Sequence, residues 1–393
     1  MNIGYVKDFM IDHFPNSKVL KRIAVKQKIK LLEKRLLPSH IIQECENDMR
    51  IKEKVVEEYS RKWSKLRIFV DKRIEQTIKS SPRYQNRDDL EYVLTDMRFC
   101  YFAYGFLPDE YTYFLLEGKG MEERFTYISA VQRSICVFRM NDFVDMQMLI
   151  SKERTYRYFK PYFKRDAITI SRQSDYEVFS AFVDKHPCFV KKPINLEMGK
   201  GIELCCIDEF GKAKEQVFLE LIKNGKHILE EPIEQSEITA EFNSSSVNTV
   251  RCVSFLTKEG VKCPFGFLRT GRKGAFVDNA GASGIFAAIE MNTGIICTDG
   301  MDENGVEYEK HPDSGLRYKG FQLPAWEELI SLSMQLAEML PSVKCIAWDF
   351  AYTDNGWVVV EANRGGQPVM QGPLHYGVRK IYEDMMARMD LIC

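Results

Sequence analysis

The chain has 393 residues, room for two or three domains with an ample core. Hydrophobic residues make up 45% and charged ones 28%, the balance of a soluble globular protein. A net charge of −1 gives no bulk attraction for a polyanion such as nucleic acid.

The start, M-N-I-G-Y-V-K-D-F-M-I-D, lacks the basic-then-apolar order of a signal peptide, and no apolar run approaches the roughly 18 residues of a membrane span. Eleven cysteines are scattered without a C-x-x-C pair, with Cys205 and Cys206 adjacent. They fit neither a disulfide framework nor a zinc site, so reduced thiols in a cytoplasmic protein are expected.

Residues 1–85 read as a basic helical extension. The first 80 carry 19 Lys/Arg against 11 Asp/Glu. Val25, Ile29, Leu32 and Leu36 fall on one helical stripe among Lys and Arg, and Ile41–Ile78 predicts one long charged helix. Such a basic amphipathic segment suits an anionic membrane surface or a partner enzyme, and equally a solvated helix packed on its own domain. A polar break at residues 80–86 leads to a helical subdomain over 86–150, rich in Phe and Tyr.

From about residue 151 the texture becomes α+β. Short strands are expected at Cys188–Lys192, Ile202–Ile207, His227–Glu231, Thr249–Leu256 and Phe265–Thr270. Helices are expected at Lys212–Lys223 and Trp326–Leu340. In C-F-V-K-K-P-I-N-L-E-M-G-K-G, Gly199 and Gly201 would let backbone N–H groups approach an anion, with Lys192 supplying a point charge, although a plain hairpin reads the same way. In H-I-L-E-E-P-I-E-Q-S-E, a strand running through Glu230 and Glu231 to Pro232 would expose backbone for a purine, or simply end in an acidic loop. In V-N-T-V-R-C-V, Arg251 among apolar neighbours needs an anionic partner if it is buried. Arg269, Arg272 and Lys273 precede Asp278, Asn279 and a small-residue loop ending at Gly284, which suits an anionic substrate or an ordinary surface turn.

The most informative stretch is C-I-A-W-D-F-A-Y-T-D-N-G-W-V-V-V-E-A-N, residues 345–363, read as a β-hairpin with Asp354-Asn355-Gly356 as its loop. Thr353 then faces Trp357, Asp349 lies opposite Glu361, and Asn363 points to the same side. Trp348, Phe350, Val358 and Val360 would take the other side. Oxygen-only ligands on a rigid hairpin suit Mg²⁺. An edge hairpin with a polar outer face fits the same residues. The histidines show no metal-ligand spacing and no catalytic triad.

In this order, the parts resemble the ATP-grasp superfamily. V-N-T-V-R, V-D-N-A-G-A-S-G-I, H-P-D-S-G-L-R-Y-K-G, A-W-D-F and V-E-A-N are similar to blocks of its sugar-transfer-associated branch, over roughly residues 90–393. The resemblance implies two α+β halves that clasp ATP in residues 151–393, with a lid at about 185–230 and the core and metal site at about 231–393. It implies Lys152, Lys192, Gly199, Gly201, Glu230, Glu231, Ile233 and Glu237 at the ATP, and Asp349, Glu361 and Asn363 at Mg²⁺, or Mn²⁺ in its place. Arg251 and Arg269 would act on the transferring phosphoryl group, with Asn248, Thr249, Asp278, Asn279 and Gly284 at the substrate. The lid loop has Glu197-Met198 where a second glycine is usual, and Ser283 replaces a glycine of the acceptor loop.

The implied chemistry is ligation of a sugar or glycan carboxylate to an amine or thiol through an acylphosphate, in cell-surface polysaccharide biosynthesis. A sugar kinase on the same fold and a non-catalytic nucleotide-binding scaffold for glycan-assembly enzymes are the alternatives. The basic helices would then give peripheral contact with the inner face of the membrane or with those enzymes.

Overall fold

Two local features break the expected long helix into three. Asp48 caps a new start, its Oδ1 accepting from Arg50 N at 2.8 Å and Ile51 N at 3.4 Å, and Trp63 leaves helical geometry at φ −118°, ψ 50°. The helices are therefore Ser39–Glu46, Met49–Lys62 and Ser64–Ser80. The preceding basic helix is Lys18–Lys34, with Val25 buried and Ile29 and Leu32 half-buried as the stripe requires. Leu36 lies past its end. This computed structural model describes residues 18–46, 48–194, 201–274 and 284–391. None of the described helices is long and apolar enough to cross a membrane.

The helical part is tied together by a buried ion cluster. Asp96 is fully buried and accepts from Arg124, Lys52 and Tyr111 Oη. Burial alone would raise its carboxyl, but Arg124 and then Lys52 hold it below the usual range.

The strands form two antiparallel sheets. The smaller, in the order β1-β4-β2-β3, joins Ala167–Ile170, His227–Glu230, Cys188–Pro193 and Glu203–Cys206. Helices Tyr176–Lys185 and Lys214–Lys223 cover one face of it, burying Phe179, Phe182, Val217 and Phe218 against Phe189 and Leu229. Cys188 and Cys206 are register partners on β2 and β3 and form a disulfide, so the expectation of reduced thiols throughout is corrected. Scattered spacing in the sequence hid a pair that antiparallel pairing puts side by side.

The larger sheet, in the order β11-β10-β5-β6-β7-β8-β9, ends in β7 (Ile285–Ala288), β8 (Gly300–Met301) and β9 (Glu307–Tyr308). Its central strands are β5 (Thr249–Thr257), β6 (Gly260–Thr270), β10 (Cys345–Thr353) and β11 (Gly356–Asn363). Strand β6 starts five residues before the expected Phe265. Trp348, Cys252 and Ser254 share one face of the sheet, where Trp348 Nε1 donates to Ser254 Oγ at 2.9 Å and its ring meets Phe159 edge-on. The opposite face carries the charged residues described next.

Candidate functional site

Alternation along β5, β10 and β11 dictates the arrangement. Asp349 is the register partner of Glu361 on one side and of Arg251 on the other, and Arg251 is paired with Phe267. Directly opposed residues share a face, so Glu361, Asp349, Arg251 and Phe267 form one row across four strands. Asn363, opposite Ala347, stands two residues along on the same face.

The hairpin reaches this register by a different route from the expected one. Thr353 pairs with Gly356, not Trp357, and Gly356 sits at φ +81°. Phe350 pairs with Val359, and the register shifts before Asp349, leaving Val360 as an extra residue on β11. The shorter tip and the bulge cancel, so Asp349 still meets Glu361. Val359, rather than Val358 or Val360, shares the side of Phe350, since Val358 pairs with Ala351.

Arg251 donates Nε and Nη2 to the two oxygens of Asp349, each at 2.6 Å, and Arg269 adds a contact of 3.2 Å. Asp349 is 2% exposed. Burial pushes its carboxyl up, but Arg251 and then Arg269 outweigh that and hold it below the usual range. Arg269 also donates to Thr249 Oγ1 at 2.8 Å, and Asn363 Nδ2 donates to Asp349 Oδ2 at 3.3 Å. Glu361 is far more open, with its side chain 43% exposed and Lys152 Nζ at 4.0 Å from Oε1. Lys152 opens the helix Lys152–Phe163, and Ser151 caps that helix.

Lys192 reaches the same region from the small sheet. Its Nζ donates to Glu230 Oε2 at 2.9 Å, and Arg165 Nε donates to the same oxygen at 2.8 Å. Arg165 extends further, giving Nη1 to Val359 O at 2.6 Å and Nη2 to Val360 O at 3.3 Å. A buried chain of charge thus runs from β2 through Glu230 and Arg165 to the bulge beside Glu361. Desolvation opposes the charge on Glu230, yet Lys192 and Arg165 bring its carboxyl down to about 2. Burial lowers the Lys192 ammonium against the pull of Glu230. Sequence reasoning missed Arg165. Its only signal is a charged Lys164-Arg165-Asp166 run directly before a strand.

The segment after β4 shows how each side chain is spent. Glu230 is committed to its ion pairs. Glu231 accepts from Asp166 N at 2.9 Å and gives its own N–H to Asp166 O. Asp166, His186 and Glu231 bring donor atoms within 4.8 Å of one another. Asp166 Oδ2 already takes Lys185 at 2.5 Å and His186 Nε2 at 3.1 Å, so this group braces the chain turn. A cavity of about 480 Å³ lined by Lys160, Lys164, Arg165 and Glu231 adjoins it. Ile233 lies in the irregular stretch beyond, and Glu237 is exposed at the start of the short helix Glu237–Ala240. Gln235 is saturated: it donates to Asn243 O and Ser246 O and accepts from Asn248 N.

Asn248 is 2% exposed, and its amide binds Thr239 O, Asn243 O and Gln235, which makes it an anchor for the loop entering β5. Two sequence blocks meet nearby. Arg272 Nε and Lys273 N both donate to Asp313 Oδ2, and His311 Nε2 contacts Gly271 O at 2.9 Å. Gly284 is buried just before β7 (Ile285–Ala288), and Gly201 is exposed at φ +71°. Gly199, Asp278 and Asn279 lie outside the described residues.

After β11, Gly365 and Gly366 fold over the charged row. A Cβ on Gly366 would lie 2.7 Å from Ala347 Cβ and 3.1 Å from Arg251 Cδ. Arg133 Nη1 holds Gly365 O at 3.1 Å.

Comparison with known proteins adds the following. No curated protein matches the chain. Among solved structures, the ATP-grasp ligase PsnB complexed with minimal precursor is 11% identical at a TM-score of 0.40, with 63% of each chain covered. D-alanine–D-alanine ligase from Bacillus anthracis complexed with ATP is 14% identical at 0.40, covering 63% of this chain and 68% of that one. VanG D-Ala:D-Ser ligase from Enterococcus faecalis is 13% identical at 0.39, covering 63% and 64%. The chain thus spans a little under two thirds of PsnB and of VanG. The sugar-transfer associated ATP-grasp family matches residues 162–378, which take in both sheets and the charged row. With more than half of its length matched, the chain belongs to the sugar-transfer associated ATP-grasp family.

Proposed function

We propose that the chain is a Mg-ATP-dependent ligase that joins a carboxylate of a sugar or glycan precursor to an amine, or a thiol, in cell-surface polysaccharide biosynthesis. The observation that carries this reading is the convergence of Glu361, Asp349 and Asn363 with Arg251 and Arg269 on one sheet face, with Lys152 and Lys192 arriving from two other elements.

Phosphoryl transfer asks a protein for positioning and charge neutralisation rather than a nucleophile. The substrate carboxylate oxygen attacks the γ-phosphorus of ATP, the bond to the β–γ bridging oxygen breaks, and ADP leaves. The amine then attacks the acyl carbon, phosphate departs, and the amine loses a proton. Arg251 and Arg269 stabilise the transferring group, while Lys152 and Lys192 neutralise the other phosphates. Backbone beyond Glu231, around Ile233, reads adenine, and Glu237 takes the ribose hydroxyls.

Asp349, Glu361 and Asn363 present three side-chain oxygens on neighbouring strands, a hard donor set that fits Mg²⁺ or Mn²⁺, and these residues would hold it. Such an ion, when bound, supplies charge neutralisation at the β- and γ-phosphates.

The test is turnover of Mg-ATP with uronic acids and nucleotide-activated uronic acids, with hydroxylamine as the trapping amine. Hydroxamate formed with ADP, and lost in Glu361→Ala, is the expected result. ADP with phosphate retained on the sugar would make the protein a kinase. Tight Mg-ATP binding without turnover across carboxylate substrates would make it a scaffold.

A further inference from the structure

The helix Lys18–Lys34 has an outer face that the ATP site does not use. Its inner side is fixed to the body by Val25, Ile29 and Leu32, by the ion pair of Arg22 with Asp142 at 2.6 Å, and by Arg139 with Glu33 at 2.5 Å. At 3.6 residues per turn, the opposite side spans roughly 140° and, besides Leu20 and Gln27, carries Val19, Ile23, Lys26, Lys30, Leu31 and Lys34. All six are exposed: Val19 at 64%, Ile23 at 48% and Leu31 at 36%. The helix holds seven Lys/Arg and one acidic residue, Glu33.

We infer that this face docks on an anionic lipid surface. Apolar side chains that would cost free energy in water alternate with lysines on a convex, braced helix about 25 Å long. That pattern matches a headgroup boundary: valine, isoleucine and leucine enter the acyl edge, and the lysine stems reach outward to lipid phosphates. An acidic protein partner would also answer the charge. Val19 and Ile23, however, the two most exposed apolar residues of the helix, lie between Lys26, Lys30 and Lys34 around it, so a partner's apolar groove would have to bury ammonium groups with them. The docking is peripheral, since none of the described helices can span a bilayer. It is independent of the ligase reading.

The test is co-sedimentation of the full chain with phosphatidylcholine vesicles, with and without about 30% phosphatidylglycerol. Binding is expected only with the anionic lipid, at about 50 mM salt, and weakened at about 500 mM. Lys26→Gln, Lys30→Gln and Lys34→Gln together should lower the partition coefficient by about 100-fold, at roughly fivefold per lysine. Val19→Ser with Ile23→Ser removes the apolar contact instead and should lower it several-fold, so the proposal does not hang on one variant. Unchanged melting and ATP binding identify both as surface changes. No binding at low salt, equal binding to neutral vesicles, or a triple variant that binds like the parent would each overturn the proposal. The first of these would leave the face to a protein partner.

Discussion

Arg251 grips Asp349 through both carboxylate oxygens, at 2.6 Å each, from the neighbouring strand. The pair is buried, and Glu361 on the other side of Asp349 is open. Two acidic residues of one row are therefore under different constraints, and their variants should fail in different ways.

Glu361→Ala should lower turnover by about 10²-fold or more while leaving the melt nearly unchanged, because its side chain is 43% exposed and its ion pair with Lys152 is long, at 4.0 Å. Asp349→Ala should cost both activity and about 3–5 kcal/mol of stability, since it leaves two guanidinium groups facing each other without their anion. Steady-state kinetics beside urea unfolding separates the two. Equal destabilisation by both would contradict the arrangement.

The ion pairs of Glu230 give a pH signature. Its carboxyl, held down to about 2 from an ordinary value near 4.5, adds stability that is complete above about pH 4.5 and is lost as the pH falls toward 2. Glu230→Gln should flatten the acid limb of the stability curve in that window and leave neighbouring pH values offset. Arg165→Met should do likewise, with an added loss of turnover because the carbonyls of Val359 and Val360 lose their donor. Unfolding monitored from pH 7 to pH 2 checks both.

Gly366→Ala presses a methyl group against Ala347 Cβ, which is fixed to a sheet backbone, and against Arg251 Cδ. Displacing Arg251 by even a fraction of an ångström should lower kcat by about 10-fold or more, with nucleotide affinity changed much less. Separate measurement of kcat and of ATP affinity decides it. A drop confined to affinity would place this loop elsewhere in the reaction.

Much of this site is legible in the sequence because alternation and turn chemistry are local. The hairpin and the strand positions of Arg251 and Lys192 follow from residues within one run, whereas the Asp349–Glu361 pairing agrees with expectation because the shorter tip and the bulge cancel. Three features depend on distant partners and stay hidden. Arg165 acquires its meaning from Glu230, 65 residues on, and from Val359, 194 residues on. Cys188 becomes half of a disulfide only because β3 returns beside β2. The bulge at Val360 leaves no mark in a run of three valines, and with the shorter tip it moves Val358 and Val360 off the face expected for them.

The disulfide closes a loop that carries the β2–β3 turn, with Cys188 and Cys206 separated by 18 residues. Cys188→Ser with Cys206→Ser should destabilise the small sheet by about 3 kcal/mol. The same shift should follow when the parent protein is reduced, and reductant should leave the double variant unmoved. Melts with and without reductant, beside mass spectrometry of alkylated peptides, provide the check.

The bulge gives β11 something like a reading frame. Residues of a strand are read in twos, and Val360 is the residue this count skips, which keeps Glu361 and Asn363 on the side of Asp349. Deleting Val360 alone would remove the bulge and leave Glu361 opposite Asp349, with Asn363 still on the same face. One residue added between the tip and Glu361, with a single bulge kept, would instead carry Glu361 opposite Trp348 on the packed side. Related chains should accordingly lose one residue between the tip and Glu361 more readily than gain one.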